Sequence, residues 1–146
     1  MPSLKKVKIL PHSAKEIYDL VIDIEKYPEF LPWCRQAKIN QIISNEVLEA
    51  DLLIKFKSFF EKYTSNVTHG KENDQYFVKV KATKGPFKKL INDWQLTDLE
   101  DGKCEVKFFI DFEFNSIILQ KLIGSIFKKA TEKMMNAFEE RAKKIY

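Results

Sequence analysis

Residues 104–114 read CEVKFFIDFEF, and from about Ile117 the chain runs on as IILQKLIGSIFKKATEKMMNAFEERAKKI to residue 145. In the first stretch Cys104, Val106, Phe108, Ile110, Phe112 and Phe114 fall on one side of an extended chain. Glu105, Lys107, Asp111 and Glu113 fall on the other, which is the period of a strand buried on one face. In the second stretch Leu119, Leu122, Ile123, Ile126, Phe127, Ala130, Met134, Ala137, Phe138 and Ile145 recur at helical spacing with no proline among them. The change of period predicts a long last strand followed by one uninterrupted helix, about 40 Å long at about 1.5 Å per residue. Gly124 inside that helix costs stability, so a close backbone approach or room for a bound molecule is its expected reason.

Working outward toward the N-terminus, Leu48, Ala50, Leu52 and Ile54 alternate with Glu49, Asp51 and Lys55, and Tyr76, Val78, Val80 and Ala82 alternate with Gln75, Lys79 and Lys81. Asn45 with Glu46, Lys57 with Ser58, Asn73 with Asp74, Gly85 with Pro86, and Asp101 with Gly102 supply turn residues at hairpin intervals, so the strands form an antiparallel meander. Leu4 to Leu10 reads as a first strand with Val7 and Ile9 on one face and Lys6 and Lys8 on the other, ended by Pro11. Ser13-Ala14-Lys15-Glu16 fits a capping box, and Ile17, Leu20, Val21 and Ile24 give the helix after it an apolar stripe. The predicted architecture is α+β: a curved antiparallel sheet of about seven strands wrapped around a long C-terminal helix, with two short helices after the first strand. A sheet so curved cannot bring every side chain to the helix, so an apolar, aromatic cavity is expected between them.

Composition agrees with one domain over residues 1–146: 45% hydrophobic residues, twelve phenylalanines and only four glycines exclude a disordered segment. Residues 121–146 hold seven bases against three acids and so carry the whole net charge of +4. A second basic stretch, Lys79, Lys81, Lys84, Lys88 and Lys89, contains no acid and reads either as a solvated face or as a patch for anionic lipid or phosphate. Arg35 and Arg141 are the only arginines, which argues against base-specific nucleic-acid reading. Two cysteines, Cys34 and Cys104, make no disulfide framework, and a reducing cytoplasm is expected. No apolar run is long enough to span a bilayer, so any membrane contact is expected to be peripheral.

Tyr27-Pro28-Glu29-Phe30-Leu31-Pro32-Trp33-Cys34, then Gly85-Pro86-Phe87 with Leu90, Asn92 and Trp94, then the final helix, make a pattern that covers nearly the whole chain. It resembles the coenzyme Q-binding protein family, which includes the bacterial ribosome-association toxins, within the START-like (polyketide cyclase/dehydrase) superfamily. The resemblance implies a helix-grip fold of the START/Bet v 1 type. It also implies non-catalytic binding of ubiquinone or a related polyprenyl lipid, in support of respiratory electron transport or quinone biosynthesis. With the first strand starting almost at once, the chain looks like a bacterial member, cytoplasmic with peripheral contact at the inner membrane. The same resemblance implies an alternative, a toxin that binds the large ribosomal subunit and blocks subunit joining. No covalent cofactor is implied.

The expected cavity residues are Phe30, Leu31 and Trp33 at the mouth, Tyr63 and Trp94 as polar-tipped aromatics for quinone oxygens, and Phe108, Ile110, Phe112, Leu122, Ile126 and Met134 on the walls. As plain core residues all of them would have the same sequence pattern. A long polyprenyl tail exceeds the usual pocket of about 300–1,000 Å³, so only the head group and the first isoprenoid units are expected inside. Lys88, Lys89, Lys128 and Lys129 form the expected basic surface, toward anionic membrane or ribosome. For catalysis and metals the reading is negative: His12 and His69 sit by turn residues, no metal-ligand spacing occurs, and alternation turns Asp111 and Glu113 away from the greasy face.

Overall fold

The computed structural model describes residues 3–56, 59–124 and 126–146; the turn expected at Lys57 and Ser58 lies outside them. The elements are β1 (Ser3–Leu10), α1 (Ala14–Ile22), a 3₁₀ turn (Ile24–Glu29), β2 (Cys34–Ile42), β3 (Val47–Phe56), β4 (Phe59–Glu72), β5 (Gln75–Lys84) and β6 (Phe87–Asp98). A second 3₁₀ turn (Glu100–Gly102), β7 (Cys104–Phe114), α2 (Ile117–Gly124) and α3 (Phe127–Ile145) complete the chain. All seven strands join one antiparallel sheet in the order β1-β7-β6-β5-β4-β3-β2, so the first strand pairs with the last and the meander runs out to β2. The expected sheet, the two short helical segments after β1 and the C-terminal helical layer are all present.

Local chemistry accounts for the joints. Ser13 Oγ accepts from the Glu16 N–H at 3.1 Å while the Ser13 N–H donates to Glu16 Oε1 at 2.9 Å, the expected capping box. Asn73 and Asp74 both take positive φ, 52° and 61°, the two-residue hairpin geometry whose twist suits antiparallel strands, and Glu72 pairs with Gln75 across it. Inside the sheet, Ala50, Val67, Val78, Leu96, Val106 and Phe108 are buried against Ile17, Leu20 and Val21 of α1 and Met135, Phe138 and Ala142 of α3.

Two expectations need correction, and the inward face of β1, left open by its alternation, is settled. The C-terminal helix is not continuous: α2 stops at Gly124 and α3 starts after Ile126, whose φ of −124° is not helical. The 19 residues of α3 reach about 28 Å. Glycine, with about 1 kcal/mol less helix preference than alanine, is a natural stopping point. No side chain crowds Gly124, since an added Cβ would meet nothing within 4 Å, so close approach is not its reason. On β1 the face bearing Val7 and Ile9 is the exposed one, at 60% and 61%, while Leu4 and Leu10, in phase with Lys6 and Lys8, pack inward. Lys6 and Lys8 face the helix, where Lys6 pairs with Glu132 at 3.4 Å and Lys8 with Glu139 at 3.0 Å, their stems covering apolar surface on the way. His69 is not a turn residue; it lies within β4, and its Nδ1 shares a hydrogen bond with the Tyr18 hydroxyl at 2.6 Å.

Candidate functional site: a two-chambered apolar cavity

Between the sheet and the C-terminal helices lie two adjoining chambers that share Tyr63, Leu90, Ile110 and Met134 as a common wall. The outer chamber has a volume of about 180 Å³. Trp33, Phe87, Phe112, Ile123, Ile126 and Phe127 line it, so it lies where α2 gives way to α3. The inner chamber, about 120 Å³, is lined by Tyr27, Leu31, Ser65, Asn92, Trp94 and Phe138. Strand period explains the lining: Tyr63, Ser65 and Val67 on β4, and Leu90, Asn92 and Trp94 on β6, are each two residues apart and so point to the same side.

The outer chamber is almost wholly apolar, Tyr63 and Thr131 being its hydroxyl-bearing residues, whereas the inner one carries more polar atoms. Asn92 is held on both sides: its Nδ2 donates to the Phe109 carbonyl at 2.9 Å and its Oδ1 accepts from Trp94 Nε1 at 3.0 Å. The Tyr27 hydroxyl donates to the Val21 carbonyl. Burial pushes the Tyr27 and Tyr63 phenols well above the usual range, so both remain neutral donors at any physiological pH. Ser65 is 1% exposed, and its Oγ has no hydrogen-bond partner among the described residues.

Of the residues expected to line a cavity, Leu31, Trp33, Tyr63, Trp94, Ile110, Phe112, Ile126 and Met134 do border one chamber or the other. Phe30, Phe108 and Leu122 border neither. Phe30 turns outward, edge-on to Tyr27 and Phe138, with the Arg141 guanidinium 5.2 Å above its ring. Phe108 is 2% exposed and packs edge-on behind Trp94 at 4.9 Å, and Leu122 lies half-exposed on α2. Trp94 reaches the inner chamber with its ring alone, because its N–H is already committed to Asn92. Ser65 and the bridging role of Asn92 escaped the sequence reading. The available signal was a lone hydroxyl in phase with Tyr63 and Val67.

The proline-rich segment works largely as a clamp. Glu29 accepts from the Arg141 guanidinium at 2.8 Å, and that bond holds the Glu29 carboxyl below the usual carboxylate range. Tyr27 and Phe30 both lie edge-on to Phe138, while the Trp33 carbonyl accepts from the Lys55 N–H at 2.8 Å. Gly85, at φ +127°, lets the β5–β6 turn lie against Tyr63, where an added Cβ would sit 2.6 Å from the Tyr63 Cβ.

The expected basic surface divides. Lys88 pairs with Glu113 at 3.4 Å and Lys89 with Asp111 at 2.6 Å, so β7 neutralises much of the β6 pair. Lys128 and Lys129 are exposed on α3 and form no ion pair among the described residues. The same pairings put Asp111 and Glu113 on the outer face, away from the chambers. No cluster of His, Cys, Asp or Glu that could hold a metal is present among the described residues, nor is any helix long and apolar enough to cross a membrane.

A sheet gripping a C-terminal helix around an apolar interior defines a helix-grip protein of the START type. A START superfamily protein from Mycobacterium smegmatis superposes with a TM-score of 0.83 at 17% identity, over 99% of each chain. The chain belongs to the polyketide cyclase / dehydrase and lipid transport family, which matches residues 10–139. Within it, the ribosome association toxin RatA of Rickettsia prowazekii (strain Madrid E) is 46% identical over 99% of both chains. The mitochondrial coenzyme Q-binding protein COQ10 homolog B of Xenopus laevis is 29% identical over 95% of this chain and 57% of that protein.

Proposed function

We propose that the protein is a non-catalytic binder of ubiquinone or a related polyprenyl quinone, carrying it in support of respiratory electron transport or quinone biosynthesis. The observation that supports this most is the pair of chambers, one almost wholly apolar, the other less open and edged with hydroxyl and amide groups. A prenylated ring has that same division. The name of the Xenopus relative and the lipid-transport description of the family point the same way. Both chambers are small beside the usual ligand pocket of about 300–1,000 Å³, so the ring and the first isoprenoid units are enclosed and the rest of the tail leaves past Ile123 and Ile126. With each buried methylene worth roughly 0.8 kcal/mol, a few units suffice for useful affinity.

The test is mass spectrometry of an organic extract of protein purified from a ubiquinone-producing host, beside a folded Met134→Phe variant that fills the shared wall. Quinone recovered stoichiometrically from the wild type and lost from the variant supports the reading. An empty wild-type extract, still empty after quinone is added, refutes it.

The resemblance to the Rickettsia toxin over 99% of the chain favours a second reading, association with the large ribosomal subunit through exposed lysines. Lys128 and Lys129, which lack ion pairs among the described residues, are better placed for phosphate than Lys88 and Lys89. Lys128→Glu with Lys129→Glu should then abolish co-sedimentation with ribosomal subunits at low salt and leave quinone binding intact. Wild-type protein that fails to co-sediment rules this reading out. The same lysines would serve a peripheral site on anionic membrane at the cytoplasmic face, tested by flotation with vesicles containing phosphatidylglycerol.

A further inference from the structure

The polar atoms of the inner chamber differ in what is left for a ligand. Both hydrogen bonds of the Asn92 and Trp94 pair are made within the protein, and so is that of Tyr27. Ser65 alone among them combines near-complete burial, at 1% exposure, with a hydroxyl that has no partner among the described residues. Buried hydroxyls are nearly always paired, so an unpaired one facing a cavity marks a position where something else is expected to accept its hydrogen bond. Serine is also a poor choice for mere filling here: the neighbouring inward positions on β4 are Tyr63 and Val67, and strand interiors favour branched and aromatic side chains.

We propose that Ser65 is the residue that selects the head group: its O–H donates to a ring carbonyl oxygen of the ligand, which enters ring first. This rests on the cavity reading above and adds a direction and a discriminating atom to it. Tyr63, which borders both chambers, stands where ring meets tail and guides the passage. The ligand class follows from the donor. A molecule carrying a hydrogen-bond acceptor on a flat ring completes the chamber, whereas a plain hydrocarbon of equal size leaves Ser65 unpaired and is bound less well.

The experiment compares ubiquinone bearing two isoprenoid units with geranylbenzene, which has the tail and a ring but no ring oxygen, on the wild type, Ser65→Ala and Ser65→Thr. Wild-type protein is expected to prefer the quinone by about tenfold, the value of one ordinary hydrogen bond. In Ser65→Ala that preference disappears through weaker quinone binding, and in Ser65→Thr, which keeps the hydroxyl, it survives. The infrared carbonyl stretch of the bound quinone is expected at lower frequency in the wild type and Ser65→Thr than in Ser65→Ala. Unliganded Ser65→Ala should melt no lower than the wild type, since its hydroxyl has no bond to lose. Quinone binding by the wild type with affinity and carbonyl stretch unchanged in Ser65→Ala would overturn the role of Ser65 and leave the cavity reading standing. A lower melting temperature for unliganded Ser65→Ala would overturn it too, by revealing a bond within the protein. Failure of the wild type to bind either compound would overturn both.

Discussion

Replacing Gly85 by alanine tests whether the β5–β6 turn is built around Tyr63, and so whether the Gly85-Pro86-Phe87 turn is part of the cavity wall. At φ +127° the backbone itself resists a side chain, at a cost of about 1–3 kcal/mol. The new methyl would also lie 2.6 Å from the Tyr63 Cβ, 3.0 Å from its Cα and 3.1 Å from the Lys62 carbonyl oxygen. Carbon atoms rest at about 3.5–4.0 Å, so turn and strand must separate by about 1 Å, and the atoms in the way are the Tyr63 Cβ and backbone rather than a movable tip. Overpacking of this kind costs about 1–3 kcal/mol more. A total near 4 kcal/mol lowers the melting temperature by about 8–16 °C in a domain of this size. Gly102→Ala is the control, because Gly102 also has positive φ, +73°, but nothing lies within 4 Å of its added Cβ. That change should cost only the backbone part, about 1–2 kcal/mol. Both variants are measured by urea and thermal unfolding followed by circular dichroism. Equal losses in the two would refute the contact argument, since only the backbone terms would then be at work.

Phe138 touches Tyr27, Phe30 and Trp94 at 5.1–5.4 Å between ring centres; Phe138→Ala should cost about 3–5 kcal/mol in urea unfolding, and a loss under 1 kcal/mol would contradict its place at the centre of the clamp. Cys34 and Cys104 are free and buried, and burial pushes both thiols up to about 11. Native protein should therefore react with a disulfide reagent at pH 8 far more slowly than protein in guanidinium, and rapid native labelling would show that one thiol is open. Glu29 is held below its usual value chiefly by the hydrogen bond from Arg141, so its contribution is present above the unfolded pKa and lost as pH falls through the folded one. Wild type should accordingly melt above Glu29→Gln near neutral pH, with the gap closing below about pH 4; a gap that widens in acid would reverse the assignment. Burial lowers the His69 pKa, so an NMR titration should place its midpoint below the usual value of about 6.5, with stability falling as pH drops through that range.

What could be read from the residues was what depends on period and on local chemistry. The alternation of β7, the capping box at Ser13 and the Asn73-Asp74 hairpin each appear where their spacing places them, because each is decided within a few residues. What could not be read depends on neighbours distant in sequence. The apolar stripe runs unbroken through Gly124 and Ile126, so periodicity carries no trace of the break between α2 and α3. On β1, alternation finds two faces but not which is inward; that is settled by Leu4 and Leu10, in phase with Lys6 and Lys8, which pack into the core, while Glu132 and Glu139, 126 and 131 residues beyond those lysines, meet their ammonium groups. In β4, Lys62, Thr64, Ser65, Asn66 and Thr68 blur the period, so an inward hydroxyl is hidden among outward ones.

The proline-rich segment shows why a family pattern and a binding site need not coincide. Glu29 and Phe30 fasten to Arg141, and Tyr27 and Phe30 fasten to Phe138, whereas Leu31 and Trp33 reach the chambers. Two requirements are thus written into one stretch: the clamp fixes where α3 lies over the sheet, and α3 supplies Met134 and Phe138 to the inner chamber. A change at Glu29 would act on the cavity only through the position of α3, whereas a change at Trp33 would act on it directly. The same division separates the fold from any cyclase chemistry it hosts elsewhere: Asp111 and Glu113 stand on the outer face, paired with lysines. The polar groups bordering the inner chamber are hydroxyls and the Asn92 amide, because the Trp94 N–H is spent on Asn92, and Ser65 is the buried hydroxyl left with no partner among the described residues.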